Sequence, residues 1–261
     1  MGKNYRSASV VMAGVAGLIV LCVLISKILG WGAYYSPGWR WMRPFCSLAT
    51  PILFGWVGVL LRGRWQSPKK WVKTVLVLLV PALYISWTVL HYNGIHFFGD
   101  GERCMWLCIG ILGYLIPTNL LAKYKNESGI VELVLFLGAA FCYVGISRVE
   151  NHFGVTNFQM LDNELTRLFC RAMRFVPLAM SVFFLAEFSF SKTGQRLGSR
   201  KGVEIAVLFL SVISFLAFSA SFFSGGFYHM RLYCLYQVLV QPVTVLLIMA
   251  LARFIKGWTK R

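Results

Sequence analysis

The chain is short of charge, and shorter still of acid. Only 13% of its 261 residues are charged, about half the share usual in a soluble domain. Acidic residues number 9 against 26 lysines and arginines, for a formal net charge of +17. Carboxylates are missing from the middle of the apolar runs: Glu132, Glu187 and Glu204 fall near run ends, where basic residues are close. Ion-coupled transporters place an acidic or polar relay near the bilayer midplane, so this absence weighs against that class. The seven cysteines include no C-x-x-C pair, which removes the usual redox and zinc spacings. Phosphate-binding glycine loops, zinc-binding histidine pairs, nucleophile elbows and Asp-rich prenyl motifs are also absent. No cofactor or metal is expected. Nothing resembling a linker, a low-complexity stretch or an internal repeat divides the chain, which reads as one domain over residues 1–261.

What is abundant is apolar surface, at 58% of residues, with aromatics at 16%. It comes in eight runs: Ala8–Leu29, Phe45–Leu61, Val75–Leu90, Cys104–Leu121, Ile130–Ile146, Phe175–Phe190, Val203–Phe223 and Tyr233–Leu251. A helix needs roughly 20 apolar residues to cross the hydrocarbon core. Several runs are at the short end, which favours steep helices with interfacial anchors. The runs are continuous rather than alternating, which argues against a barrel. The expected fold is all-α, a polytopic integral membrane protein with about eight transmembrane helices. Lys3 and Arg6 precede the first run as in a signal peptide. That run exceeds the usual ~7–15 apolar residues, so it is expected to stay as a spanning helix. Arg6 also stands where a myristoylation signal needs Ser or Thr.

Charge sorts by face. With the N-terminus inside, the inner segments are 1–7, 62–73, 123–129, 191–202 and 252–261, and they hold 17 of the 26 basic residues. The positive-inside rule then gives N-in and C-in, consistent with a multi-pass protein of a bacterial cytoplasmic membrane. Topology thus explains the net charge, and no nucleic-acid partner is expected. The cluster Arg62, Arg64, Lys69, Lys70 and Lys73 serves as a topology signal, with contact to anionic lipid heads as the other reading.

The outer connections differ in chemistry. They hold all four histidines (His91, His96, His152, His229), and their cations are arginines apart from Lys27. The stretch Trp31–Pro44 carries Trp31, Tyr34, Tyr35, Trp39 and Trp41, rings that settle at headgroup level or stack on a lipid or sugar. In the long connection Ser147–Arg174, Thr156-Asn-Phe-Gln159 has capping-box spacing, so a helix is expected to start there. On it Asn163, Arg167, Arg171 and Arg174 share one face, and Leu161, Leu165, Leu168, Phe169 and Ala172 share another. That pattern predicts an interfacial amphipathic helix running into the sixth span. On the eighth run His229, Tyr233, Gln237 and Gln241 recur every four residues, a polar stripe that must face other helices or a hydrated cavity.

Guanidinium groups pair in two-pronged fashion with carboxylate and phosphate. Arg167, Arg171 and Arg174, with Tyr233, Gln237 and Gln241, are therefore candidates for binding an anionic lipid or lipid-linked substrate at the outer face. His229 and His152 are the candidate acid–base groups, and Cys170 the candidate nucleophile. Pairing of these arginines with Asp100, Glu102, Glu150, Asp162 and Glu164 is the purely structural alternative. Membrane lipids are the expected partners. The other function class is a permease, a channel or a membrane subunit whose arginines dock a membrane-protein partner. Cys46, Cys104, Cys170 and Cys234 map to outer run ends, where oxidation can occur.

In length, span number and an outward Cys170, arginine and His229 set, the chain resembles exosortases and archaeosortases. Those membrane transpeptidases use Cys, Arg and His at the outer face, so the resemblance implies Cys170 as nucleophile beside His229. It is topological rather than motif-level. Ser219-Ala-Ser-Phe-Phe-Ser-Gly-Gly226 lacks the arginine that the family carries there, and Leu168-Phe-Cys-Arg-Ala172 lacks its small residues around the cysteine.

Overall fold

The structure, a computed structural model, describes residues 2–28, 37–64, 69–92, 102–116, 128–156, 164–210 and 212, with helical backbone alone between 148 and 172. The fold is all-helical. Its helices are α1 (Gly2–Ile28), α2 (Pro37–Arg64), α3 (Lys70–Tyr92), α4 (Glu102–Leu115), α5 (Ile130–Thr156), α6 (Glu164–Phe190) and α7 (Lys192–Ser199). A last stretch, α8, covers 201–210. The first six apolar runs each fall largely within a helix of their own, and the seventh begins in α8, most of it lying outside the described residues. The eighth lies outside the described residues.

Two helices are long and apolar enough to cross a membrane among the described residues, at Ile130–Ser147 in α5 and Met173–Phe190 in α6. Leu48–Gly63 and Cys104–Leu115 are shorter apolar stretches. The sequence also misplaces one boundary. Thr156 ends α5 rather than opening the next helix, and α6 starts at Glu164 and continues unbroken into the sixth run. The capping-box spacing is a local cue. It loses to continued growth of α5, where each added residue brings another backbone hydrogen bond.

The helices pack by backbone contact. One of the two most extensive interfaces joins α2 to α4, and glycines make it possible. A Cβ placed on Gly58 would lie 2.1 Å from the carbonyl oxygen of Gly110, and one on Gly113 would lie 2.2 Å from that of Gly55. Small residues that let backbones touch are how helices associate in lipid, where no hydrophobic force drives them together. Around this crossing Met12, Leu48, Ile52, Leu53, Trp56 and Leu185 form the buried core.

Polarity is distributed opposite to that of a water-soluble bundle. Ser9, Thr50, Ser181, Glu187 and Ser189 are buried, whereas Val75, Leu78 and Ile85 of α3, Val131, Val134 and Phe141 of α5, and Ile205 and Phe209 of α8 are exposed. Only 33% of the Ile130–Ser147 window is buried inside the fold. Contiguous apolar surface of this kind marks contact with lipid or protein.

The start of α1, residues 128–129, α7 and the start of α8 meet at one end of the bundle. Arg6 of α1 pairs with Glu204 of α8, Thr193 of α7 donates to the Ser128 carbonyl, and Gln195 donates to the Asn4 carbonyl. Gly129, at φ +76°, lies so close to Ser191 that a Cβ would come 2.2 Å from its Oγ. A left-handed residue with no room for a side chain must be glycine.

Candidate functional site

Helices α5 and α6 pack as an antiparallel pair, and two contacts fix their register. At one end Gly129 lies against Phe188. About halfway along α5, the guanidinium carbon of Arg174 lies 6.0 Å from the centre of the Tyr143 ring. Both pairs obey one register. Carried further, it sets Ser147 level with Cys170, Glu150 level with Arg167, and His152 level with Leu165. The register thus places Arg174 near the middle of the pair, with the backbones of Arg171, Cys170, Arg167 and His152 following in turn toward the end away from Gly129. His229, Tyr233, Gln237 and Gln241 lie outside the described residues.

Two physical features make this end suited to an anion. Arg174 is half-buried and is held over a buried tyrosine, an attraction of roughly 0.5–2 kcal/mol. Its head is thereby stationed rather than free to wander. In addition, α6 begins at Glu164, so Arg167 falls within the first turns of a helix whose N-terminal end is already positive. Glu164 offsets that only in part, and a bound phosphate or carboxylate would complete the compensation.

Two cysteines take up structural places. The Cys104 thiol donates to the Leu83 carbonyl at 3.4 Å, and the Cys108 thiol to the Val80 carbonyl at 3.6 Å. Both are free and buried, tying α4 to α3. Phe175 of α6 packs on them and lies 5.9 Å from the Tyr84 ring, joining the three helices just below Arg174. An outward-facing Cys104 open to oxidation, as its position at a run end suggested, does not fit this burial.

The opposite end holds a polar network that the sequence reading left to topology alone. Trp56 Nε1 donates to Ser9 Oγ at 3.0 Å, and Ser9 Oγ donates to the Tyr5 carbonyl at 2.7 Å. Gln195 Nε2 bridges the carbonyls of Asn4 and Ser189, at 2.9 Å each. Ser191 caps α7 by accepting from the Gly194 N–H. A signal for this was present: Ser191-Lys-Thr193 directly follows an apolar run, and a serine there is a preferred helix cap. No group of three or more His, Cys, Asp or Glu able to hold a metal occurs among the described residues. Compared with known proteins, the chain matches no family model, no curated protein and no solved structure.

Proposed function

We propose that the chain is an eight-span membrane protein, N-in and C-in, that binds an anionic lipid or lipid-linked substrate at the outer end of the α5–α6 pair. The observation that carries this is Arg174 seated on Tyr143, with Arg171, Arg167 and His152 further along the same helix pair by its register. In this reading Arg167, Arg171 and Arg174 clamp the anion. His152 or His229 exchanges a proton with it if the protein turns its substrate over, and Tyr233, Gln237 and Gln241 continue the polar path inward.

The multi-span part is supported by several features together. Beyond the two windows in α5 and α6, helices α1, α2 and α3 have 27, 28 and 23 residues. At 1.5 Å per residue each reaches about 35–42 Å with its polar ends included, long enough to carry a shorter apolar stretch through the core with its ends in the interfaces. Glycine-mediated crossings and outward apolar faces suit the same solvent.

Arg171→Gln and His229→Gln test the site separately. Lost substrate binding or turnover with unchanged oligomeric state supports it. Lost co-purification of another membrane protein would assign the arginines to docking instead. Wild-type behaviour of both variants would end the outer-site reading.

A further inference from the structure

We propose that α7 and the start of α8 form a second lipid site at the opposite end: a rigid cationic edge that holds an anionic phospholipid headgroup of the inner leaflet. This rests on the membrane reading above but not on the outer site. The edge consists of Lys192, Arg196, Arg200 and Lys201, all exposed.

Rigidity separates this edge from an ordinary basic loop. Helix α7 is capped by Ser191 and is bonded through Thr193 to Ser128 and through Gln195 to Asn4 and Ser189. Its buried face is made of glycine: a Cβ on Gly194 would lie 2.2 Å from the Phe188 carbonyl oxygen, and one on Gly198 would lie 2.0 Å from that of Ser7. The helix is pressed onto the backbones of α1 and α6, which leaves its other side fixed outward. Lys192 and Arg196 stand one turn apart, with an axial rise of about 6 Å, and Arg200 follows at the C-cap of the helix. The positive-inside rule needs only a charge count and works in a flexible loop. It does not call for a helix built into the fold.

Charge and polarity choose the occupant. Among the described residues no ion pair is recorded for any of the four cations. Arg6 takes the carboxylate of Glu204, and Glu132 and Glu187 are buried. The cationic edge therefore faces outward without acid of its own. It also borders apolar surface: Leu197 is 40% exposed within it, and Ile205, Phe209 and Val212 extend away along α8, at 68%, 64% and 40%. Cations at the end of an outward apolar stripe match a headgroup phosphate above its acyl chains, as in juxtamembrane basic segments. A soluble polyanion would leave the stripe uncovered.

The test uses the full chain in nanodiscs of phosphatidylcholine with a minority of phosphatidylglycerol, and native mass spectrometry to count phosphatidylglycerol retained. Arg196→Gln is expected to weaken retention about fivefold, the size of one cation near an anionic surface. The triple variant Lys192→Gln, Arg196→Gln, Arg200→Gln should abolish it, with unfolding temperature unchanged because all three side chains are exposed. Lys69→Gln, Lys70→Gln, Lys73→Gln removes equal charge from exposed positions outside α7 and should retain the lipid. Wild-type retention by the α7 triple, or equal loss in both triples, overturns the proposal. Repeating the series with Arg171→Gln separates the two sites, since the α7 effect should persist there. Release of the wild-type chain from membranes by alkaline carbonate would overturn the membrane reading, and this inference with it.

Discussion

Arg6 and Glu204 stand 198 positions apart, yet Nη2 of Arg6 donates to both carboxylate oxygens of Glu204, at 2.5 and 2.6 Å. The pair closes the first helix onto the last described one, and both side chains are shielded, at 32% and 20% exposed. Charge-assisted hydrogen bonds in such settings contribute about 1.5–3 kcal/mol. Arg6→Gln and Glu204→Gln should each lower the unfolding temperature in detergent. The double variant should cost clearly less than the sum, because each single change leaves the other charge uncompensated. Strict additivity in that cycle would show that the pair contributes nothing.

The α2–α4 crossing makes a sharper forecast. Alanine at Gly58 or Gly113 puts a methyl against backbone atoms, at 2.1 and 2.2 Å, and backbone cannot rotate away. Each change should cost at least ~1–3 kcal/mol by overpacking and reduce the folded yield. Gly138→Ala and Gly145→Ala serve as controls, because nothing stands within 4 Å of either new Cβ. They should be neutral or stabilising by up to ~1 kcal/mol, the helix-propensity gain. Equal loss across all four would remove the close crossing from the account.

These contacts show what the sequence could and could not disclose. Continuous apolar runs gave helices because burying backbone polar groups in an apolar setting leaves no other local solution. The sorting of charge by face put residues 1–7 and 191–202 on one face, with Glu204 near the adjoining run end, and the Gln195–Asn4 and Arg6–Glu204 contacts join those stretches. The partner of α2 was not legible. Gly55, Gly58, Gly110 and Gly113 are visible as glycines, but nothing in their spacing says which helix they meet. The end of α5 was misjudged because Thr156 satisfies a local capping pattern that helix growth overrides. On α6 the spacing of the arginines could be read from the sequence. Their level relative to His152 depends on non-local contacts, Gly129 with Phe188 and Arg174 with Tyr143, that no single-segment pattern contains.

Tyr5 supplies a pH test of the polar end. It lies below the first apolar run, its ring 5.2 Å from that of Phe190 in an edge-on contact, and burial pushes its phenol above the ordinary value of 10.0. The folded chain therefore holds this proton more tightly than the unfolded chain does. The contribution to stability is complete below about pH 10, the unfolded value, and is lost as pH rises through the folded one. Tyr5→Phe cannot titrate. Lysines deprotonate in both proteins, so their effect cancels in the difference. Unfolding temperatures measured in detergent from pH 8 to pH 11 should thus run parallel at first, after which the wild type should fall faster than the variant above about pH 10. Curves that stay parallel throughout would mean that water reaches the phenol, and that Tyr5 is not sealed between Gly63 and Phe190.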